Sequence, residues 1–315
     1  PAQHGAGHSA FFEKGMPWPC LPFASLSLGT IVARVLDGGS RVLLPAGART
    51  RGVLRVKLAR IAATLALAVS GVPGAQATEL RTQDGLALVI DARSGRTSKL
   101  ALDAQNILTR AGGLLIQDFA AGSAPRAVRG AVVAKADGKI VQEVSMQPEQ
   151  LRITTTHEAQ PGCIRVRCEI EDLRKQDRAI VATYRLPVTA KGWRWGRNVV
   201  DSEAIGREGS HRNTAPIGAG AEGAIDLYPF SAISGPKYGL SLAIRMDEPR
   251  VFASQYRADL QCYEIHFHLG LSQATTKFPG RADVSFVMYR HDPTWGFRSA
   301  AARYYSLFPE FFSVR

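Results

Sequence analysis

Residues 262–271 read CYEIHFHLGL, and their alternation decides the fold. Tyr263, Ile265, Phe267 and Leu269 fall on one side of an extended chain, and Cys262, Glu264, His266 and His268 on the other. A period of two over ten residues predicts a β-strand with one greasy face. The same pattern spreads outward in both directions. QLRITTTHE (150–158), CIRVRCEIEDL (163–173), AIVATYRLPV (179–188), YGLSLAIRM (238–246) and ADVSFVMYR (282–290) all alternate. Ser94-Gly95 and Asp137-Gly138 interrupt apolar runs in GLALVIDARSGRTSKLAL (85–102) and GAVVAKADGKIVQEVSM (130–146), as hairpin turns do. Helical stretches are missing until the end. Many strands, frequent turns and no interleaved helices predict an all-β fold, a large antiparallel β-sandwich over residues 78–291.

The end of the chain changes period. DPTWGFRSAAARYYSLFPEFF (292–312) opens with Asp292 as the expected N-cap and Pro293 at the first helical position. Phe297, Ala301, Tyr304 or Tyr305, and Phe308 recur at helical spacing before Pro309. Residues 292–315 are therefore read as one amphipathic linker helix. It needs an apolar surface, either the sandwich or a neighbouring domain.

The beginning reads differently again. Arg55, Lys57 and Arg60 precede an apolar run from Ile61 to Val69, and Ala75-Gln76-Ala77 follows Gly71, Pro73 and Gly74. Basic start, apolar middle and A-x-A cut make residues 55–77 a secretory signal peptide. The apolar run is far short of the roughly 20 residues of a membrane span. The expected location is periplasmic or secreted. Residues 1–54 show neither strand nor helix periodicity, and they read as upstream translation or a disordered extension.

The chain has 315 residues and a formal charge of +12. Residues 1–77 hold 8 of the 39 Lys/Arg and 2 of the 27 Asp/Glu, which leaves 31 and 25, a balance of +6. These charges are interspersed and form no basic run, so no nucleic-acid partner is expected. Beyond Cys20, three cysteines remain, Cys163, Cys168 and Cys262, which permits one disulfide at most. Cys163 and Cys168 fall on opposite faces of one strand.

DLRKQDRAIVATYRLPV (172–188), GWRWG (192–196), YPFSAISG (228–235), DEPRVF (247–252) and above all DPTWGFRSAAARYYSLFPEFF carry a resemblance. Together they resemble the N-terminal β-supersandwich of large bacterial glycoside-hydrolase-like proteins, a galactose-mutarotase-like sandwich. The resemblance covers roughly residues 79–315. It implies a module followed by a linker helix and a separate catalytic domain. On that reading the chain is the accessory part of a glycoside hydrolase, or a fragment, and catalytic residues are not carried over to it.

Several residues remain as site candidates. Trp193 and Trp195, two apart, would present both indoles on one side as a carbohydrate platform. Charged Lys191, Arg194 and Arg197 flank them. The row Cys262, Glu264, His266, His268 reads most simply as a solvent-facing strand surface. Its imidazoles suit zinc, but a zinc site needs ligands converging from elsewhere, so no metal and no cofactor are assigned. The alternative to an accessory module is a sugar-active enzyme of the mutarotase or lyase kind. Its acid and base would come from His211, His266 and His268 with Glu264 or Asp226. A third reading is an envelope structural protein. Asp201, Glu203, Asp226 and Glu264 show no spacing that singles out a hydrolytic pair. The glycine-rich IGAGAEGAI (217–225) lacks the phosphate-binding order and reads as a loop.

Overall fold

The computed structural model describes residues 77–119 and 121–313. The expected upstream segment and all but the last residue of the export signal lie outside these residues.

Two large antiparallel sheets dominate. The nine-stranded sheet runs in the order Ser202–Ala204, Arg194–Gly196, Phe230–Ser234, Gly239–Ala243, Arg281–His291, Cys163–Asp172, Leu151–Gln160, Lys139–Met146, Val132–Ala136. The six-stranded sheet runs Ser210–Arg212, Phe252–Arg257, Cys262–Leu271, Arg178–Leu186, Gly113–Asp118, Arg126–Ala127. A four-stranded sheet (Thr78–Arg81, Leu86–Ile90, Thr97–Leu102, Gln105–Asn106) and a small hairpin (Thr214–Pro216, Ala224–Asp226) complete the set. The alternating stretches named above all form strands. Gly95 and Gly138 take φ of 64° and 70° at the expected hairpin turns, a conformation that costs glycine nothing.

The apolar faces of the two large sheets meet. Phe286 of the larger sheet lies 5.0 Å from Tyr184 and 6.3 Å from Phe267 of the smaller one, ring centre to ring centre. Tyr263, Ile265, Phe267 and Leu269 are all buried in this layer. Two tyrosine hydroxyls inside it are paired. Tyr184 Oη lies 2.6 Å from Thr97 Oγ1 and 3.1 Å from His157 Nε2. Tyr263 Oη meets Ser231 Oγ at 2.7 Å and accepts the Leu242 N–H at 3.2 Å. Each such bond removes a desolvation penalty that an unpaired buried group would carry.

One helix, Phe297–Leu307, lies against the outer face of the larger sheet. Phe297, Ala300, Ala301 and Tyr304 are its buried positions, and Phe308 caps its C-terminus, also buried. Phe230 stacks 4.7 Å from Phe297 and 5.6 Å from Tyr304. Tyr304 Oη donates to Ile244 O and Tyr289 Oη to Ala300 O. Burying each large aromatic here contributes about 1.5–3 kcal/mol. The helix thus rests on the sandwich. Asp292 does make the expected cap-type bond, its Oδ1 accepting the Thr294 N–H at 2.8 Å, but the turn it opens does not run on into the helix, which begins at Phe297. Gly296, at φ 49°, redirects the chain into the first helical residue. A short 3-10 turn, Pro309–Phe311, follows.

Cys163 joins the cluster beneath the helix and Cys168 the cluster between the sheets, on opposite faces of one strand. All three described cysteines are free and buried. Among the described residues no helix is long and apolar enough to cross a membrane.

Candidate functional site

The strand Cys262–Leu271 sits inside the six-stranded sheet, and register decides what its polar face meets. Glu264 stands opposite Arg185 on one side and Gln255 on the other. His266 stands opposite Thr183 and Ala253, and His268 opposite Val181. Directly opposed residues share a face, so these side chains form one polar strip across three strands.

That strip is not the solvent-facing surface expected. Glu264 is 1% exposed and His266 6%. Part of the cover is the glycine-rich tip between the hairpin strands Thr214–Pro216 and Ala224–Asp226. Gly220, at φ 75°, approaches so closely that a Cβ there would lie 3.0 Å from His268 Cγ and 3.1 Å from Val251 Cγ1. The period of two is correct, but a second layer covers the side that alternation alone assigns to water.

The strip is wired as a hydrogen-bonded chain. Glu264 Oε1 accepts from Arg185 Nε, and Oε2 accepts from Gln255 Nε2 at 3.2 Å. Gln255 Oε1 accepts from Ser210 Oγ at 2.8 Å, and Ser210 Oγ accepts from Arg212 Nε at 3.0 Å. Arg212 pairs in turn with Glu222 on the glycine-rich tip. Both oxygens of Glu264 are engaged, which suits positioning better than proton transfer.

The two histidines behave differently. His268 Nδ1 accepts the Ala221 N–H at 3.1 Å, so its proton sits on Nε2, which is buried without a partner. His266 Nε2 is likewise buried and unpartnered. Burial pushes His266 down to about 4 and lowers His268 as well. Both rings are neutral at pH 7.

Asp226 and His211 lie elsewhere. Asp226, at the base of the small hairpin, accepts the Ser254 N–H through Oδ2 at 2.8 Å. Its Oδ1 is buried without a partner, and burial pushes the carboxyl up to about 8. His211 stands opposite Tyr256, whose neighbour Gln255 faces the strip, so His211 takes the other face. Its Nδ1 lies 2.6 Å from Glu203 Oε1. Burial works against the charge of Glu203, but hydrogen bonds from His211 and Arg197 outweigh it and hold the carboxyl below the usual range. The structure therefore gathers Glu264, His266 and His268 on one face, ties Asp226 to the Ser254 amide of the adjoining strand, and turns His211 to the opposite face.

The two tryptophans do not form a paired platform. Trp195 is fully buried, donates Nε1–H to Asn213 Oδ1 at 3.0 Å, and meets Tyr263 edge-on at 6.1 Å. Trp193 precedes the strand Arg194–Gly196 and closes a turn through its N–H to Ala190 O at 2.9 Å. Its ring lies over Gly235, where a Cβ would come within 2.4 Å of the indole. It lines a surface cleft with Gln105, Asn106, Val188, Lys237 and Tyr238. Among the described residues no group of three or more His, Cys, Asp or Glu is placed to hold a metal ion.

Arg185, Gln255 and Thr183 are the parts of the strip that sequence reading missed. Arg185 and Glu264 are 79 residues apart, and no local signal marks their meeting. A polar residue breaking the alternation was the only available hint.

No protein-family model matches the chain, and no curated protein matches it in sequence. Several solved structures are similar to it. A galactose mutarotase-like protein from Lactobacillus casei is 12% identical, with a TM-score of 0.41 over 69% of this chain and 100% of that one. A putative aldose 1-epimerase from Escherichia coli is 9% identical, with a TM-score of 0.44 over 68% and 98%. The GH36 α-galactosidase AgaA of Geobacillus stearothermophilus is 11% identical, with a TM-score of 0.43 over 69% of this chain and 41% of its own.

Proposed function

We propose that this chain is an exported, non-catalytic β-sandwich module that accompanies a carbohydrate-processing catalytic domain. The observation that carries the non-catalytic part is the closed strip. Glu264 is held at both oxygens by Arg185 and Gln255, and His266 is sealed from solvent. A general acid and base must reach a common substrate, but Asp226 is tied to the Ser254 amide and His211 faces the other side of the sheet. The carbohydrate part rests on the sequence motifs at 172–188, 192–196 and 292–312. Trp193 is the proposed glycan contact, since its ring borders a cleft that also carries Gln105, Asn106 and Lys237. Flat indole beside amide and amine groups suits the apolar face and hydroxyl rim of a sugar.

Polarimetry of freshly dissolved α-glucose and α-galactose tests the catalytic question. Anomer interconversion with the protein should equal that in buffer. Acceleration that disappears in His266→Ala would overturn the reading. Titration against oligosaccharides, with Trp193→Ala alongside, tests the contact. Binding unchanged by that substitution would remove Trp193 from it.

A second reading, a sugar-active enzyme, is favoured by one observation: His266 Nε2 and His268 Nε2 are both buried without partners. The same polarimetric assay decides between the two.

A further inference from the structure

The glycine-rich tip at 217–223 is tied to the strip by few bonds, and one of them depends on a proton. His268 Nδ1 accepts the Ala221 N–H at 3.1 Å. This is possible only for a neutral ring, because an imidazolium donates from both nitrogens. Protonating Nδ1 would turn the acceptor into a donor facing another donor. The tip has hinges to move on: Gly218, Gly220 and Gly223 take φ of 66°, 75° and 65°. Its neck is closed by Gly223 O, which accepts the N–H groups of Ile217 and Gly218 at 2.8 and 3.0 Å. Outside that neck, the side-chain tie to the sheet is Glu222 to Arg212.

The surroundings give protons on these rings little welcome. The charged and titratable groups facing the two imidazoles are Glu222 from the tip, Arg212 from the strand Ser210–Arg212, and Arg185 across the sheet. Glu222 is the one that favours an imidazolium, and it is already paired with Arg212. The two histidines also disfavour each other's charge. Glu264, next along the strand, is held by Arg185 and Gln255. Two buried, unpartnered Nε2 atoms leave the added charge without an acceptor.

We propose that residues 217–223 are a flap over the His266–His268 strip, latched by the Ala221 amide on His268 Nδ1 and released when the imidazoles take up protons. Opening would let water reach His266, His268 and Glu264 together. The sign follows from linkage. A histidine whose closed-state pKa lies below its open-state value favours the closed state at high pH. That preference is lost as pH falls through the ordinary histidine pKa of about 6.5 toward the closed value. With His266 at about 4 when covered, its share of the open-to-closed ratio rises about 20-fold between pH 7.0 and 5.0. Asp226 would work the other way if it were uncovered, but it lies outside residues 217–223 and keeps its bond to the Ser254 N–H in both states, so it does not enter the ratio.

Amide hydrogen exchange of the full chain tests the flap. Protection of the Ala221 amide, corrected for the intrinsic pH dependence of exchange, should fall at least tenfold from pH 7.0 to 5.0. The Ile265 amide in the neighbouring strand should keep its protection. The double variant His266→Gln/His268→Gln, which cannot titrate here, should show less than a twofold change at Ala221. Unchanged protection in the wild type would overturn the proposal, as would a double variant that loses protection as the wild type does. Should the double variant fail to fold, the comparison of Ala221 with Ile265 in the wild type decides. A parallel fall at both sites means general loosening and refutes a flap. These outcomes do not depend on whether the module binds a glycan.

Discussion

Replacing Arg178 by methionine should be among the most damaging single changes in the molecule. Arg178 is in the six-stranded sheet and its guanidinium clasps three groups. It meets Asp118 Oδ2 at 2.6 and 3.2 Å, Asp172 Oδ1 at 2.8 Å and Glu149 O at 2.7 Å. Asp118 ends a strand of the same sheet, whereas Asp172 ends the strand Cys163–Asp172 of the other. The clasp therefore joins the two layers at one end. The side chains of Arg178, Asp118 and Asp172 are 4%, 9% and 0% exposed. Methionine keeps much of the aliphatic stem but strands two buried carboxylates. Breaking a buried pair in this way costs about 3–5 kcal/mol. At about 2–4 °C per kcal/mol for a chain of this size, Tm should drop by roughly 6–20 °C at pH 7. The loss should depend on pH. Burial opposes the charge of Asp172, but hydrogen bonds from Arg178 and the Gln176 and Arg174 amides outweigh it and lower its pKa. A carboxyl lowered in the folded state contributes stability above the ordinary carboxylate pKa of about 3.9. That contribution is lost as pH falls through the folded value. The Tm gap between wild type and Arg178→Met should therefore narrow below about pH 4. Thermal unfolding followed by circular dichroism at pH 7 and pH 3.5 measures both. A gap under about 3 °C at pH 7, or one that does not narrow in acid, would refute the clasp.

Three further outcomes are expected. The carboxyl of Asp226 is pushed up to about 8 by burial, so its contribution is fully present below the ordinary carboxylate pKa and declines as pH rises toward 8. Urea unfolding should accordingly show Asp226→Asn gaining on the wild type from pH 5 to pH 8, and a pH-independent difference would contradict the enclosed carboxyl. Trp195→Ala empties a fully buried site and orphans Asn213 Oδ1, so urea unfolding should register a loss of about 3–5 kcal/mol. Burial pushes the Cys163 and Cys168 thiols up to about 11 and 12, so neither should react with a thiol reagent at pH 8 until the chain unfolds. Fast labelling of either in the native protein would contradict their placement.

Alternation and turn residues are properties of neighbours along the chain, and they were enough to determine the strands, the hairpins at Gly95 and Gly138, and the opposite faces of Cys163 and Cys168. The amphipathic spacing from Phe297 to Phe308 was likewise local and correctly marked a helix, although its start is set by Gly296, whose φ of 49° separates the Asp292 turn from Phe297. What alternation cannot state is which strand lies beside which, or what covers the face turned away from the core. Arg185 reaches Glu264 because Arg178–Leu186 and Cys262–Leu271 pair in one particular register, and a slip of one residue would send every side chain to the other face. The cover over His266 and His268 comes in part from a tip some fifty residues earlier, held by an imidazole bond, the Glu222–Arg212 pair and the close approach of Gly220 to His268. Trp195 was turned inward, and Trp193 left at a cleft, by the turn from Ala190 to Trp193 and the layer beyond it. The sequence by itself thus determined which segments become pleated and which of their sides is greasy, because both follow from bond geometry and neighbouring residues. Only the tertiary structure decided which polar groups are sealed, paired and proton-sensitive, because that depends on contacts between segments far apart in the chain.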